Sequence, residues 1–281
     1  MYILNILKSV LFGIIEGVTE WLPISSTGHM ILLEKICQFK EVSENFFGMY
    51  EVVIQLGAIM AVVVMFWHKL WPFSMKKSEG GKSEISIKQN IIMLWIKVAV
   101  ATVPAALIGF FIDDWLDEHL YNHITVAITL IIYGVLFLVV EQYNKKRRPR
   151  VTKLTELTFK DAFLVGCFQV LSLIPGTSRS GATILGGIFL GSSRRVASEF
   201  TFFLAVPVMF GASLLKVIKF GFNFQAMEVV ILLVGMITAF AISMIAIKFL
   251  MNYIKKHNFN LFGIYRIVLG AIVLLSFFLT K

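Results

Sequence analysis

The sequence predicts an all-α integral membrane protein with an inverted-topology repeat, each half a re-entrant helical hairpin plus three transmembrane helices. Three observations lead there. Of the 281 residues, 58% are hydrophobic and 26 are Phe, with a mean hydropathy of +0.82, which is more apolar surface than a soluble domain of this length can hide from water. Six uninterrupted apolar runs are each long enough to cross about 30 Å of hydrocarbon as a helix. Two further apolar regions are broken by Pro, Gly and Ser, and these two resemble each other.

Region 2–37 comes first, interrupted at "LPISSTG". Neither half of it is long enough to cross, so it reads as a re-entrant hairpin, because irregular backbone at membrane depth persists only where protein or water satisfies it. Lys8 and a short apolar run are followed by no small-residue cleavage site, so no removable signal peptide is expected. Spans follow at 46–67, 91–112 and 122–140. Region 159–192, interrupted at "IPGTSRSGATILGG", is the second hairpin, and spans at 199–219, 227–250 and 261–279 complete the set. Cys37 and Cys167 lie far apart in apolar segments and read as small packing residues without disulfide or metal-ligand spacing.

A shift of 153 residues sets "SSTGHMIL" (Ser25 to Leu32) over "SRSGATIL" (Ser178 to Leu185), Gly13 over Gly166 and Glu16 over Gln169. Pro23 and Pro175 miss by one residue in that register. Weaker echoes pair "EVVIQLGAIMAVVV" with "EFTFFLAVPVMFGA" and "AITLIIYGV" with "GIYRIVLGA". An internal duplication explains these matches, giving a single membrane domain over 1–281 with repeats 1–145 and 155–281. A unit with three crossings is odd, so the second copy must sit upside down relative to the first.

Loop charges test that topology independently. The loops holding Lys69, Lys76, Lys77, Lys82 and Lys88, then Lys145 to Lys160, then Lys255 and Lys256 are basic, whereas the one holding Asp113, Asp114, Asp117 and Glu118 has no Lys or Arg. Positive-inside orientation makes the basic loops cytoplasmic and the acidic one external. Both termini then fall outside, and the two hairpins dip in from opposite faces until their broken tips meet near the midplane. The formal charge of +9 belongs to these loops. No basic stripe with interleaved aromatics accompanies it, so no nucleic-acid partner is expected.

The tips carry the chemistry. In "PISSTGHM" the run Ser25, Ser26, Thr27, Gly28 precedes an apolar stretch and reads as a helix N-cap, an end with free N–H groups and partial positive charge that suits phosphate. The second tip, "PGTSRSGAT", repeats this and adds Arg179, whose planar fork can hold phosphate oxygens. Two opposed N-termini with one guanidinium suit a diphosphate better than a carboxylate. Glu16 and Glu20 are spaced i,i+4 and share a helix face. Inside a membrane they read as ligands for Mg²⁺ or Ca²⁺, or as one general base; on an external interfacial helix they would simply meet water. His29, one residue after Gly28, reads as a general acid or base, or as a phosphate-accepting nucleophile.

"EGVTEWLPISSTGHM" together with "PGTSRSGATI" resembles undecaprenyl-diphosphate phosphatase of the bacitracin-resistance type, along essentially the whole chain. The resemblance implies a multi-pass enzyme of the bacterial inner membrane that hydrolyses undecaprenyl diphosphate to the monophosphate and recycles the lipid carrier for peptidoglycan, hence cell shape and antibiotic resistance. It also implies a divalent cation, Mg²⁺ or Ca²⁺, and a site open to the periplasmic side. Carried over by motif position, the catalytic residues are Ser26, His29, Glu20 and Arg179, the substrate-binding ones Ser25, Thr27, Ser178, Ser180, Thr183 and Gly176, and the metal ligands Glu16 and Glu20. Ser26 is chosen as nucleophile with His29 as its proton partner; His29 or water are the other candidates. The partners are the polyprenyl lipid substrate and membrane lipids, with the oligomeric state left open, a homodimer included.

Another membrane lipid-phosphatase family shares the echoes "SSTGH" and "SR", but no His follows Arg179 at the needed distance. The rival function is a secondary transporter or lipid-carrier flippase on the same inverted repeat, in which Glu16 and Glu20 relay protons and Arg179 clamps substrate. The dense hydroxyl set beside His29 favours chemistry over carriage.

Overall fold

The computed structural model describes residues 2–77 and 83–279. Its apolar runs are helical because in hydrocarbon each backbone N–H and C=O must be satisfied within its own segment. In chain order the elements are α1 (Tyr2–Thr19), α2 (Ser26–Ile36), α3 (Phe46–Val53), α4 (Gln55–Met65), α5 (Trp67–Leu70), β1 (Phe73–Lys77), β2 (Ser83–Ile87), α6 (Gln89–Leu120) and α7 (His123–Asn144). After them come α8 (Phe159–Val170), α9 (Arg179–Phe189), α10 (Arg194–Phe220), α11 (Ala226–Tyr253) and α12 (Asn260–Leu279). The protein is an all-α integral membrane protein apart from the small hairpin β1–β2.

Among the described residues, seven stretches are long and apolar enough to cross a membrane, one more than the sequence suggests. The addition is α1. Its 18 residues run on unbroken to the tip and reach about 27 Å at 1.5 Å per residue, so the first hairpin has unequal arms. By contrast α2, α8 and α9, with 11, 12 and 11 residues, are too short to cross.

Three other differences have local causes. The first expected span is stepped at Ile54, where the Gly57 N–H bonds to the Ile54 carbonyl at 3.0 Å and separates α3 from α4. The acidic segment Asp113 to Glu118 reads as a loop, yet its backbone continues α6 to Leu120, since it holds no Pro or Gly to stop it. Asn122 then starts α7 by accepting the Thr125 N–H at 2.9 Å. The basic loop after α5 folds into an antiparallel pair, with Phe73 opposite Ile87 and Lys77 opposite Ser83; Lys82 lies outside the described residues.

The long helices pack closely at glycines, as apolar helices in lipid must when no hydrophobic force distinguishes neighbour from solvent. A Cβ at Gly13 of α1 would meet the Gly235 carbonyl oxygen of α11 at 2.7 Å, and one at Gly166 of α8 would meet the Ala101 oxygen of α6 at 2.4 Å. Between α7 and α12 the contact is reciprocal. A Cβ at Gly134 would meet the Gly263 oxygen at 2.7 Å, and one at Gly270 would meet the Ala127 oxygen at 2.8 Å. Wholly buried aromatics, among them Trp21, Phe137, Phe202, Phe203 and Phe259, fill the interior, whereas Phe110, Phe111 and Phe222 stand exposed on the outside.

Candidate functional site

Each tip is a tight turn that ends in a capped helix. At the first, the Glu20 N–H still bonds to the Glu16 carbonyl at 3.0 Å, and the chain then turns through Trp21 to Ile24. Ser25 starts α2 with φ 73° and its Oγ accepts the Gly28 N–H at 3.3 Å. The second tip turns through Gly176 (φ 85°), and Ser178 starts α9 with φ 71° while its Oγ accepts the Gly181 N–H at 3.1 Å. Positive φ at a non-glycine residue costs on the order of 1–3 kcal/mol and persists only where its surroundings hold it. Both serines that carry it here occupy matching positions of the two broken motifs.

One carboxylate joins the tips. Ser26 Oγ donates to Glu20 Oε2 at 3.0 Å, and Arg179 Nη2 donates to Glu20 Oε1 at 3.0 Å. Arg179 Nη1 also donates to the Thr201 carbonyl of α10 at 2.9 Å, which aims the guanidinium from behind. Ser180 Oγ donates to the Glu20 carbonyl at 2.8 Å, a second tie between the tips. Glu20 and Arg179 are 8% and 10% exposed at their side chains, so their attraction is little screened.

Not every hydroxyl faces the same space. Ser25 and Ser178 use their oxygens as caps, Ser178 Oγ also sharing a hydrogen bond with Ser180 Oγ at 3.2 Å, and Thr183 Oγ1 donates to the Arg179 carbonyl at 2.8 Å while accepting from Thr201 Oγ1 at 2.9 Å. These three hold the tips in shape. Ser26 and Thr27, half-buried, are the first-tip hydroxyls left at the surface of the cluster. His29 differs from the expectation: its Nδ1 lies 2.7 Å from the Ser25 carbonyl and its Nε2 2.7 Å from the Tyr265 hydroxyl. A carbonyl only accepts, so Nδ1 carries a proton, and in the neutral imidazole Nε2 accepts from Tyr265. The hydrogen-bond partner of Ser26 is therefore Glu20, not His29, because the turn at Trp21 to Ile24 folds the carboxylate back over the start of α2.

Two residues of α12 complete the cluster without having been singled out in the sequence. Tyr265 stacks on His29, with ring centroids 5.7 Å apart and planes 9° from parallel. Arg266 is wholly buried and donates to three carbonyls: Nη1 to Pro23 at 3.3 Å, Nη2 to Gly176 at 2.9 Å and to Thr177 at 2.8 Å. It thus staples the first tip to the second. The signal that finds it is a lone arginine inside the apolar run 261–279, since intramembrane charge is kept only for a purpose.

Glu16 is buried, and its Oε1 has no hydrogen-bond partner among the described residues. An orphaned carboxylate oxygen one turn from Glu20 fits a hard divalent cation, which takes oxygen donors and in phosphoryl-transfer sites needs only one or two carboxylates beside the phosphate. Among the described residues no group of three or more His, Cys, Asp or Glu gathers to hold a metal, at the tips or elsewhere.

Residues 9–272 match the family model described as bacitracin resistance protein BacA. The chain belongs to this family. Three proteins named undecaprenyl-diphosphatase are similar to it over nearly their full length. That of Acetivibrio thermocellus is 59% identical over 274 residues, covering 98% of each chain. That of Enterococcus faecalis is 57% identical over 272 residues, covering 97% of each, and that of Streptococcus pneumoniae is 54% identical over 284 residues, covering 99% of this chain and 98% of the relative. The BacA match takes in both tips and the α12 segment that holds Tyr265 and Arg266.

Proposed function

We propose that this chain is an undecaprenyl-diphosphatase. It removes the terminal phosphate of undecaprenyl diphosphate and leaves undecaprenyl phosphate, which returns the lipid carrier to cell-wall polymer synthesis. The observation that carries the reading is the Glu20 carboxylate, held between a hydroxyl of one tip and the guanidinium of the other.

Arg179 and the N-termini of α2 and α9 neutralise the diphosphate, which is most of what phosphoryl transfer asks of a protein. Ser26 Oγ attacks the terminal phosphorus as its proton passes to Glu20 Oε2. The bond from that phosphorus to the bridging oxygen breaks, and undecaprenyl phosphate departs. Water then cleaves the bond between Ser26 Oγ and phosphorus and releases inorganic phosphate. His29 stays in the catalytic set through Nε2, the nitrogen that Tyr265 addresses, and not as the partner of Ser26. Thr27, at the surface of the cluster, contacts substrate, while Ser25, Ser178, Ser180, Thr183 and Gly176 shape the cradle. A divalent cation, Mg²⁺ or Ca²⁺, held through Glu16 with Glu20 beside it, supplies further neutralisation of the phosphate oxygens when bound.

The enzyme is assigned to the inner (plasma) membrane with its site open to the external side, on the strength of the basic and acidic loop segregation. The inverted halves 1–145 and 155–281 are supported by the reciprocal glycine contacts of α7 with α12 and by the paired positive-φ serines. The transporter reading is not favoured, since the near-full-length relatives are named as diphosphatases.

Purified protein in detergent, without any membrane gradient, is expected to release phosphate from undecaprenyl diphosphate and to lose that activity with a chelator. Ser26→Ala and Glu20→Gln should each lower turnover by about 10²-fold or more. Near-normal turnover in either variant would refute the role given to that residue, and a pure carrier would release no phosphate at all.

A further inference from the structure

Away from the tips, a cleft of about 820 Å³ opens between α5, the first turns of α6, residues 152–155 and the start of α10. Lys69, Lys88, Lys97, Lys153 and Arg195 line it, against one carboxylate, Glu199. That carboxylate is already committed, to Lys69 Nζ at 2.6 Å and to Arg195 Nε at 3.0 Å. The cleft therefore keeps a surplus of positive charge at the end of the molecule where the basic loops gather.

Lys97 points to what neutralises it. It sits eight residues inside α6, about 12 Å along the axis, between the apolar Ile96 and Val98, and is only 8% exposed. Among the described residues it has no ion pair; its ammonium lies 5.9 Å from the centroid of the Phe159 ring. Asp161, whose charge reaches Lys97, is taken by Arg150 Nη2 at 2.5 Å and by the Thr158 N–H and hydroxyl at 3.0 and 2.7 Å. A lysine within a membrane span is costly unless an anion or a wet cavity receives its charge. Here it opens into a cleft whose other charged lining residues are four cations and one committed carboxylate.

We propose that this cleft is a binding site for the phosphate of an anionic phospholipid headgroup, separate from the catalytic cluster. Phosphate matches the chemistry because it offers acceptor oxygens and negative charge to the lysines that line the cleft. Inorganic phosphate shares that chemistry. A lipid is favoured as the source because Lys97 lies inside the membrane span Gln89–Ile112 and the exposed, apolar Met93 lines the same cleft, so acyl chains can stay in hydrocarbon while the headgroup reaches in.

Native mass spectrometry of the full chain tests this, with phosphatidylglycerol and phosphatidylcholine offered in equal amounts. The wild type should retain phosphatidylglycerol with a preference of about tenfold, and Lys97→Met combined with Lys88→Gln should bring the preference close to one. Lys145→Gln combined with Lys146→Gln removes the same charge from the exposed loop outside the cleft and should leave the preference unchanged. Lys88→Gln alone, at the half-buried rim, gives an independent reading should Lys97→Met disturb folding, and should weaken retention by itself. Equal losses in the cleft and loop variants, or an undiminished preference in the cleft variants, would overturn the proposal. So would binding of inorganic phosphate that needs Lys97 when phosphatidylglycerol is not retained.

Discussion

Replacing Arg266 by Met removes the staple between the tips while keeping a long apolar side chain in its place. Three buried carbonyls, those of Pro23, Gly176 and Thr177, lose a charged donor. At about 1–3 kcal/mol for each buried group left unsatisfied, the gross loss is about 3–9 kcal/mol. Relief of the desolvation of a buried guanidinium, several kcal/mol, acts in the opposite direction. The two nearly cancel, so global stability is a poor readout and the melting temperature should fall only modestly. Geometry does not benefit from that cancellation. Pro23 lies three residues before Ser26, and Thr177 two before Arg179, so a tip displaced by about 1 Å should lower turnover by about 10²-fold. The assay is steady-state phosphate release by purified protein in detergent. A fall in kcat with the fold retained is expected, and Arg266→Lys, a point charge without the planar fork, should recover it only in part. A folded Arg266→Met enzyme with kcat within about threefold of wild type, well under the 10²-fold expected of a misplaced tip, would show that the tips hold their positions without the staple.

Tyr265→Phe keeps the stack on His29 but removes the hydroxyl that donates to Nε2; a lost hydrogen bond of about 1 kcal/mol corresponds to about a fivefold fall in turnover, accompanied by a changed pH profile that a merely structural role would leave alone. At Ser178, glycine removes the strain of φ 71° and costs only a few tenths of a kcal/mol as a cap, whereas alanine keeps the strain and loses the cap for about 1 kcal/mol. Thermal unfolding should therefore place Ser178→Gly at or above wild type and Ser178→Ala below it, and the reverse order would refute the capping account.

What could be read in the sequence was local. Both tips were legible because Pro23, Ser25 and Gly28, and likewise Pro175, Ser178 and Gly181, write the turn and the cap within a few residues of each other. The membrane class followed from unbroken apolar runs whose length alone sets their fate in a bilayer. Helix ends were less legible. Pro104 and Pro207 lie inside α6 and α10 without ending them, and α6 runs on through acidic residues that read as loop. Alternation of Phe73 and Met75 across from Ile85 and Ile87 was too short a signal to mark β1 and β2.

The sequence by itself determined that this chain crosses a membrane, that it presents two hydroxyl-rich helix starts, and which carboxylates and guanidinium accompany them. Only the tertiary structure decided that Glu20 and not His29 accepts the Ser26 hydrogen bond, that Arg266 binds the two tips together, and that Tyr265 holds the imidazole. The physical reason is separation along the chain: the partners of Pro23 and His29 lie 243 and 236 residues away. Contacts at that distance arise from how α12 packs on α7 and against the tips, a sum over many glycine and apolar contacts that no short stretch of residues encodes.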